Sequence, residues 1–181
     1  MDRVIFPTSP LIKITLVNLY FALTLPLPFL AKFASIEFPL WAFCLLIILG
    51  AITIVGVLSE RVILNEEGIE VSYPQWVKIS LRKGWSLTWS EIESLKMRTT
   101  GQGGLVYYFV SKTRDQAYLL PMRVAGFARM VRQVQAKTGI DTTDIRPLAQ
   151  PWMYIFLFFF TFFLWLVDIW TITTALQSSV G

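Results

Sequence analysis

The residues best equipped for binding chemistry lie at positions 73–85, whose sequence is YPQWVKISLRKGW. This segment contains two tryptophans and three cations: Trp76, Trp85, Lys78, Arg82 and Lys83. Indole rings beside cations suit a membrane interface with anionic headgroups, where each cation contributes about 1 kcal/mol. Three cations would orient a domain on that surface without anchoring it. The other interpretation is an ordinary strand pair, with both tryptophans in a core and the cations in solvent.

A second group of cations lies on a predicted helix after Pro121. Arg129 and Arg132 fall away from the apolar stripe of this helix. Their face would suit an acidic protein loop or a lipid phosphate, and a solvated helix surface is the alternative. Because the excess of positive charge is modest, we do not expect nucleic-acid binding.

Two polar residues, Asn18 and Asp168, lie inside apolar runs. An ionisable residue in such a run is a functional candidate by default. Asp168 could hydrogen-bond Asn18, a threonine or a partner helix. The favoured expectation is that it reaches the headgroup region beside Trp165 and Trp170. A proton relay is not expected, because no second intramembrane acid or base is evident.

The motifs by which catalysis and metal binding are recognised are missing from the sequence. It contains no P-loop, no Gly-x-Ser-x-Gly and no cluster of metal ligands, and it has no histidine and a single cysteine, Cys44. The glycine-rich stretch at 101–104 lacks the following helix that would complete a phosphate cradle. We therefore expect no enzyme activity, no metal, no cofactor and no small-molecule substrate.

The composition indicates a membrane protein, since 55% of the 181 residues are hydrophobic and the mean hydropathy is +0.58. Three apolar runs match the roughly 20 residues that a membrane-spanning helix needs: residues 14–33, 39–58 and 151–176. The first two form a predicted hairpin within residues 1–60. Pro26 and Pro28 are expected to kink or fray the end of the first span. A signal peptide is the competing interpretation of that run, but a clear small-residue cleavage site is missing.

A water-soluble domain is predicted between the second and third spans. Residues 61–140 read as short strands followed by one helix, and residues 141–150 as a linker. Gly68 is expected to close a turn between the first two strands by adopting a positive φ. Four apolar residues fall on the buried face of the helix: Val124, Phe127, Val131 and Val134. Gly139 suits the C-terminal stop of this helix.

Three stretches of this domain carry a resemblance to a known family. They are the opening hairpin RVILNEEGIEV, the strand and corner LTWSEIESLKM, and the strand and helix AYLLPMRVAGFARMVRQVQAKTG. Together they resemble the bacterial pleckstrin-homology-like (PH-like) domain of small membrane proteins. The resemblance implies a rolled antiparallel sheet capped by a C-terminal helix, and scaffolding or binding rather than catalysis. The expected fold class is thus α+β, with a transmembrane hairpin, a PH-like β-roll and one C-terminal transmembrane helix.

The distribution of charge predicts the orientation in the membrane. Residues 61–146 hold thirteen Lys or Arg and eight Asp or Glu, and two further cations lie just before the first span. The opposite side has Lys32 and Glu37, and the tail at 177–181 has no charged side chain. The positive-inside rule therefore predicts a cytoplasmic N-terminus and domain, with the C-terminus across a plasma or thylakoid membrane.

Two functions from different classes fit this organisation. The first is a non-catalytic accessory or assembly factor that docks on a larger membrane protein complex, with a photosynthetic or respiratory complex as the expected host. The Phe-rich run at 156–163 could pack against such a complex, its lipids or its pigments, or serve as a lipid-facing anchor. The second is a membrane-surface module that binds anionic lipids through residues 73–85.

Overall fold

The computed structural model describes residues 3–36, 38–80, 82–99, 101, 105–113, 116–145 and 151–177. Its strands are β1 (Val4–Pro7), β2 (Arg61–Leu64), β3 (Gly68–Ser72), β4 (Trp85–Thr88), β5 (Ile92–Thr99), β6 (Leu105–Ser111) and β7 (Ala117–Leu119). Its α-helices are α1 (Pro10–Thr24), α2 (Leu27–Phe33), α3 (Leu40–Val57), α4 (Gln75–Ser80), α5 (Phe127–Thr138) and α6 (Pro151–Gln177).

The chain divides into two compact units. Residues 1–10 and 56–150 form one unit, called the folded domain below, and residues 11–55 and 151–181 form the other, called the helical unit. Several predictions fall outside the described residues: Glu37, most of the turn at 100–104, the second half of the linker at 146–150, and the tail after Gln177.

The folded domain contains two antiparallel sheets, in the orders β1-β2-β3-β4 and β5-β6-β7, followed by α5. Buried and more exposed side chains alternate along β6. Val62 lies opposite Val71 across β2 and β3, and both side chains are buried. The inner faces of both sheets and one face of α5 share an apolar core, in which Val62, Phe109 and Met130 have no exposed surface. The fold is therefore α+β, as the sequence predicts.

The first strand was not predicted from the sequence. β1 pairs with β2 in antiparallel register, with Phe6 opposite Val62, and Phe6 is buried in the core. Thr8 extends this pairing, because its backbone N–H and its hydroxyl both donate to the carbonyl oxygen of Glu60, at 3.1 and 2.9 Å. Segments that share a sheet lie on the same side of a membrane. The N-terminal residues thus belong with the domain rather than with the first predicted span.

The amphipathic helix α5 begins later than its apolar spacing suggested. Gly126 adopts a left-handed conformation (φ 73°) directly before Phe127 and ends any continuation of the helix toward its N-terminus. Val124, expected on the helix, instead forms an isolated bridge with Thr8. Met130, which the prediction omitted, is buried between Phe127 and Val134. The predicted stop at Gly139 is confirmed, because this residue caps the helix with φ 69°.

The turn before β3 is present, but the expected reason for its glycine was wrong. The side chain of Asn65 accepts hydrogen bonds from the backbone N–H groups of Glu67 and Gly68, at 3.0 and 2.7 Å, and so forms the turn itself. Gly68 is the first residue of β3 and does not adopt a positive φ. Its missing Cβ leaves room for the backbone of Leu87 on β4. Close approach of strands, rather than turn geometry, requires glycine here.

The helical unit contains three helical stretches that are long and apolar enough to cross a membrane: Pro10–Phe33, Leu40–Val57 and Trp152–Gln177. Their ends lie within four residues of the predicted ones. The first stretch is interrupted between α1 and α2 at Leu25 and Pro26. This break agrees with the kink that was expected at the prolines. These lengths and compositions indicate a membrane-associated protein.

Candidate functional site

The tryptophan and lysine of the first half of residues 73–85 lie on the short helix α4, and not on a strand as the alternative interpretation expected. The helix starts after Pro74, whose carbonyl oxygen accepts from the N–H groups of Val77 and Lys78. Val77 is fully buried and fixes α4 to the domain. Trp76 is 44% exposed and Ile79 85% exposed. The helix therefore presents two large apolar side chains and one cation, Lys78, to its surroundings.

The indole of Trp76 lies against the last turn of α3. A Cβ placed on Gly56 would come within 2.7 Å of Cη2 of this ring, so glycine is what permits the contact. Because α3 ends at Val57 and is long enough to cross a membrane, Trp76 lies beside the end of a candidate span. In membrane proteins, tryptophan is enriched near the ends of the spans.

The other tryptophan of the segment has a different role. Trp85 is the first residue of β4, is half-buried, and packs against the rings of Phe109 and Tyr118 at centroid distances of 6.2 and 5.2 Å. It belongs to the apolar core, as the alternative interpretation of this segment expected for both tryptophans. The fold thus separates two residues that the sequence grouped together.

Between α4 and β4, Arg82 and Lys83 line a cleft of about 420 Å³ in the folded domain. Arg123, which follows β7 and was not a predicted site residue, lines the same cleft. All three side chains are exposed. No sequence signal could have joined Arg123 to the other two cations, because their proximity depends on how the two sheets pack.

A buried tyrosine forms the base of this cleft. The hydroxyl of Tyr73 donates to Oε1 of Glu60 at 2.6 Å. Burial, together with the neighbouring carboxylate, raises the pKa of Tyr73 to about 12, although the nearby Arg82 acts in the opposite direction. The phenol therefore stays protonated at neutral pH and keeps the hydrogen that it donates to Glu60.

Two cations of α5 lie on the face opposite its buried residues. Arg129 and Arg132 are exposed, in agreement with their predicted position away from the apolar stripe. Lys137 lies 4.0 Å from Glu66, and both side chains are largely solvated. An ion pair of this kind contributes little to stability. Nothing in the described part of α5 distinguishes its cations from an ordinary solvated helix surface.

The interior of the helical unit contains polar contacts as well as apolar side chains. The indole N–H of Trp165 donates to Oδ1 of Asn18 at 3.0 Å, and the hydroxyl of Thr15 donates to the carbonyl oxygen of Tyr154 at 3.5 Å. Thr15 and Thr161 have no exposed surface. These contacts give Asn18 a structural role between α1 and α6.

Asp168 faces the interior of the helical unit. Its side chain is 6% exposed, whereas the adjacent Val167 and Ile169 are 42% and 59% exposed. It lies nine residues before the end of α6 at Gln177, about 13 Å along the helix axis. The expectation that it reaches a headgroup region stays a prediction. Its Oδ2 atom is buried and has no hydrogen-bond partner among the described residues.

An apolar groove of about 930 Å³ also lies in the helical unit, between α2, the start of α3 and the end of α6. Phe29, Phe33 and Phe43 line it, and Lys32 contributes a cation. Its walls resemble the rest of the outer surface of this unit and add no reactive group.

One carboxylate of the folded domain has a clear structural role. Glu91 caps the 3₁₀ turn Trp89–Glu91, because its Oε2 accepts from the backbone N–H and the hydroxyl of Thr88 at 2.9 and 2.8 Å. These hydrogen bonds lower the pKa of Glu91. Over the residues that the structure describes, no group of three or more His, Cys, Asp or Glu side chains could hold a metal ion.

Comparison with known proteins gives one clear relationship. The chain is 56% identical over 164 residues to "Uncharacterized protein slr0269" of Synechocystis sp. (strain ATCC 27184 / PCC 6803 / Kazusa), and the alignment covers 90% of this chain and 82% of the relative. No protein-family model matches the chain. No solved structure matches it. At this identity and coverage, the chain belongs to the same family as the Synechocystis protein slr0269.

Proposed function

We propose that the protein is a non-catalytic membrane-surface module, in which α4 holds the folded domain on a bilayer that contains anionic lipid. The observation that carries this proposal is the position of Trp76 against Gly56, beside the end of the candidate span α3. A helix that presents Trp76, Lys78 and Ile79 at this level has the composition of an interfacial element.

The energetics of Ile79 support the same conclusion. This side chain is 85% exposed on a helix of six residues, too short to be stable without its contacts. Moving an isoleucine of this exposure from water into the acyl boundary would contribute about 1.5–3 kcal/mol. Lys78 would add about 1 kcal/mol near anionic headgroups. Together with the covalent tethers, these contributions suffice to orient the domain.

Nitroxide labels on the full-length protein in nanodiscs test this proposal. With Cys44 replaced by serine, one label is introduced at Ile79→Cys and a matched label at Met97→Cys, an exposed apolar position on β5. We expect collisions of the Ile79 label to favour oxygen, which concentrates in lipid, and those of the Met97 label to favour a water-soluble nickel complex. Equal access of the nickel complex to both labels would contradict the proposal.

A second candidate function is docking on a larger membrane protein complex, as an accessory or assembly factor. The outer surface of α6 favours it, because its exposed aromatic residues include Phe156, Phe159, Phe160 and Phe163, which are 47–69% exposed. Lipid alone would also cover this surface. Substituting these four residues with leucine keeps the helix apolar and removes its exposed aromatic rings. Loss of a stoichiometric complex after mild-detergent purification of this variant would support docking, and a monomeric wild-type protein would exclude it. A photosynthetic or respiratory host stays a prediction.

The orientation and the resemblance belong to the same proposal. Seven antiparallel strands in two sheets, followed by α5, support the resemblance to bacterial PH-like domains. Pairing of β1 with β2 supports a common compartment for the N-terminus and the domain, for which the excess of Lys and Arg favours the cytoplasm. A membrane-impermeant maleimide applied to intact cells should fail to label Lys112→Cys. Labelling would show that the domain lies on the opposite side of the membrane from the one proposed.

A further inference from the structure

The cleft beside Tyr73 lies between two sheet edges that pair on one side only. β4 is the last strand of its sheet and β7 the last of the other, and residues of both line the cleft. We propose that this cleft binds a phosphate-bearing anion through Arg82, Lys83 and Arg123. The inference goes beyond the proposed role of α4, because the cleft requires neither Trp76 nor Ile79.

The charges of the cleft favour an anion. Three cations line it, against one carboxylate, that of Glu60. Among the described residues, no carboxylate lies within ion-pair distance of Arg82, Lys83 or Arg123. Three cations in excess of one carboxylate repel one another, and a bound anion would remove this cost.

The carboxylate of Glu60 already has a partner. It accepts the hydrogen bond of the Tyr73 hydroxyl at 2.6 Å. Arg82 lies near the same hydroxyl, where its charge acts to lower the pKa of Tyr73. A guanidinium has five N–H donors in a planar fork, which match the oxygens of a phosphate group. Arg82 is exposed at the cleft, so its donors can meet an anion there.

The size and walls of the cleft limit the ligand. A volume of about 420 Å³ falls in the range of roughly 300–1,000 Å³ that is typical of small-molecule sites. The rings of Trp85 and Tyr118 form one wall, 5.2 Å apart between centroids. A phosphate group with a small organic part, such as a glycerol unit, would place its charge at the cations and its carbon atoms on these rings. Such a group occurs both in soluble phosphomonoesters and in lipid headgroups.

The test uses the full-length protein in nanodiscs of phosphatidylcholine, titrated calorimetrically with glycerol 3-phosphate. We expect saturable binding that weakens at least tenfold in the double variant Arg82→Gln with Arg123→Gln. The double variant Lys83→Gln with Arg123→Gln leaves the contacts of Tyr73 intact and should also lose at least tenfold. The matched control Arg98→Gln removes an exposed cation of β5 outside the cleft and should bind like the wild type.

A second arm distinguishes the two sources of phosphate. Nanodiscs containing phosphatidic acid are compared with nanodiscs of equal negative charge containing oleic acid. If the natural ligand is a lipid headgroup, phosphatidic acid alone should suppress binding of glycerol 3-phosphate. If it is soluble, both nanodiscs should behave alike. Absence of saturable binding to the wild type, or equal weakening by Arg98→Gln and the cleft variants, would overturn the proposal, whatever the labels on α4 report.

Discussion

The two units of this protein differ in the side chains that they expose. In the folded domain, apolar residues such as Val62 and Phe109 are fully buried, and its charged residues are outside. In the helical unit, Thr15 and Thr161 are fully buried, whereas Trp41 and Phe156 are 70% and 69% exposed. Water favours the burial of apolar side chains, and a bilayer does not. The comparison supports membrane association independently of helix length.

The largest expected difference in stability between the two units comes from a matched pair of phenylalanine substitutions. Phe109→Ala empties a fully buried site of the domain core and should cost about 3–5 kcal/mol. Phe159→Ala removes the same atoms from a site that is 66% exposed on α6 and should change stability by no more than about 0.5 kcal/mol. Thermal unfolding of both variants in the same nanodiscs measures the difference. A loss of several kcal/mol for Phe159→Ala would mean that this residue packs against protein.

The same contrast explains which parts of the fold could be predicted from sequence. The three apolar helices were predicted because a long uninterrupted run needs no tertiary information. β1 was not, because its four residues have no clear alternation and their partner, β2, follows more than 50 positions later. α4, with six residues, is too short for a helical period to be recognised.

The residues of the candidate site could also be predicted only where the sequence signal is local. Trp76 and Lys78 could be selected from local sequence, because interfacial composition is a local property. Arg123 could not, since it joins Arg82 only through the packing of two sheets. The buried position of Asp168 could not be predicted either, because an apolar run does not indicate which side of a helix faces its neighbours.

The hydrogen bond between Trp165 and Asn18 inside the helical unit can be tested with a smaller change. Trp165→Phe keeps an aromatic ring and removes the N–H that donates to Asn18 at 3.0 Å. Hydrogen bonds between membrane helices contribute about 0.6 kcal/mol on average, so we expect a loss of roughly that size and at most about 1.7 kcal/mol. Trp170→Phe, at a residue that is 69% exposed, is the matched control and should be neutral. Unfolding in mixed micelles gives both values. If both variants lose the same stability, the hydrogen bond to Asn18 contributes nothing specific.

The smallest expected effect on stability comes from Glu91, an exposed carboxylate of the folded domain. Hydrogen bonds from Thr88 lower the pKa of Glu91 below its ordinary value of 4.5. A carboxylate whose pKa is lower in the folded than in the unfolded state stabilises the fold above the ordinary value, and this contribution is lost as the pH falls through the lowered pKa. Wild type should therefore exceed Glu91→Gln in stability at pH 7. The difference should shrink as the pH falls below 4.5 and vanish once the pH is below the lowered pKa. Glu67→Gln, at an exposed residue whose side chain takes no part in the cap, serves as the control in chemical unfolding across this range. A difference that stays constant down to pH 2 would mean that Glu91 acts through its shape and not through its charge. Protonation removes the charge of the carboxylate and leaves its shape almost unchanged.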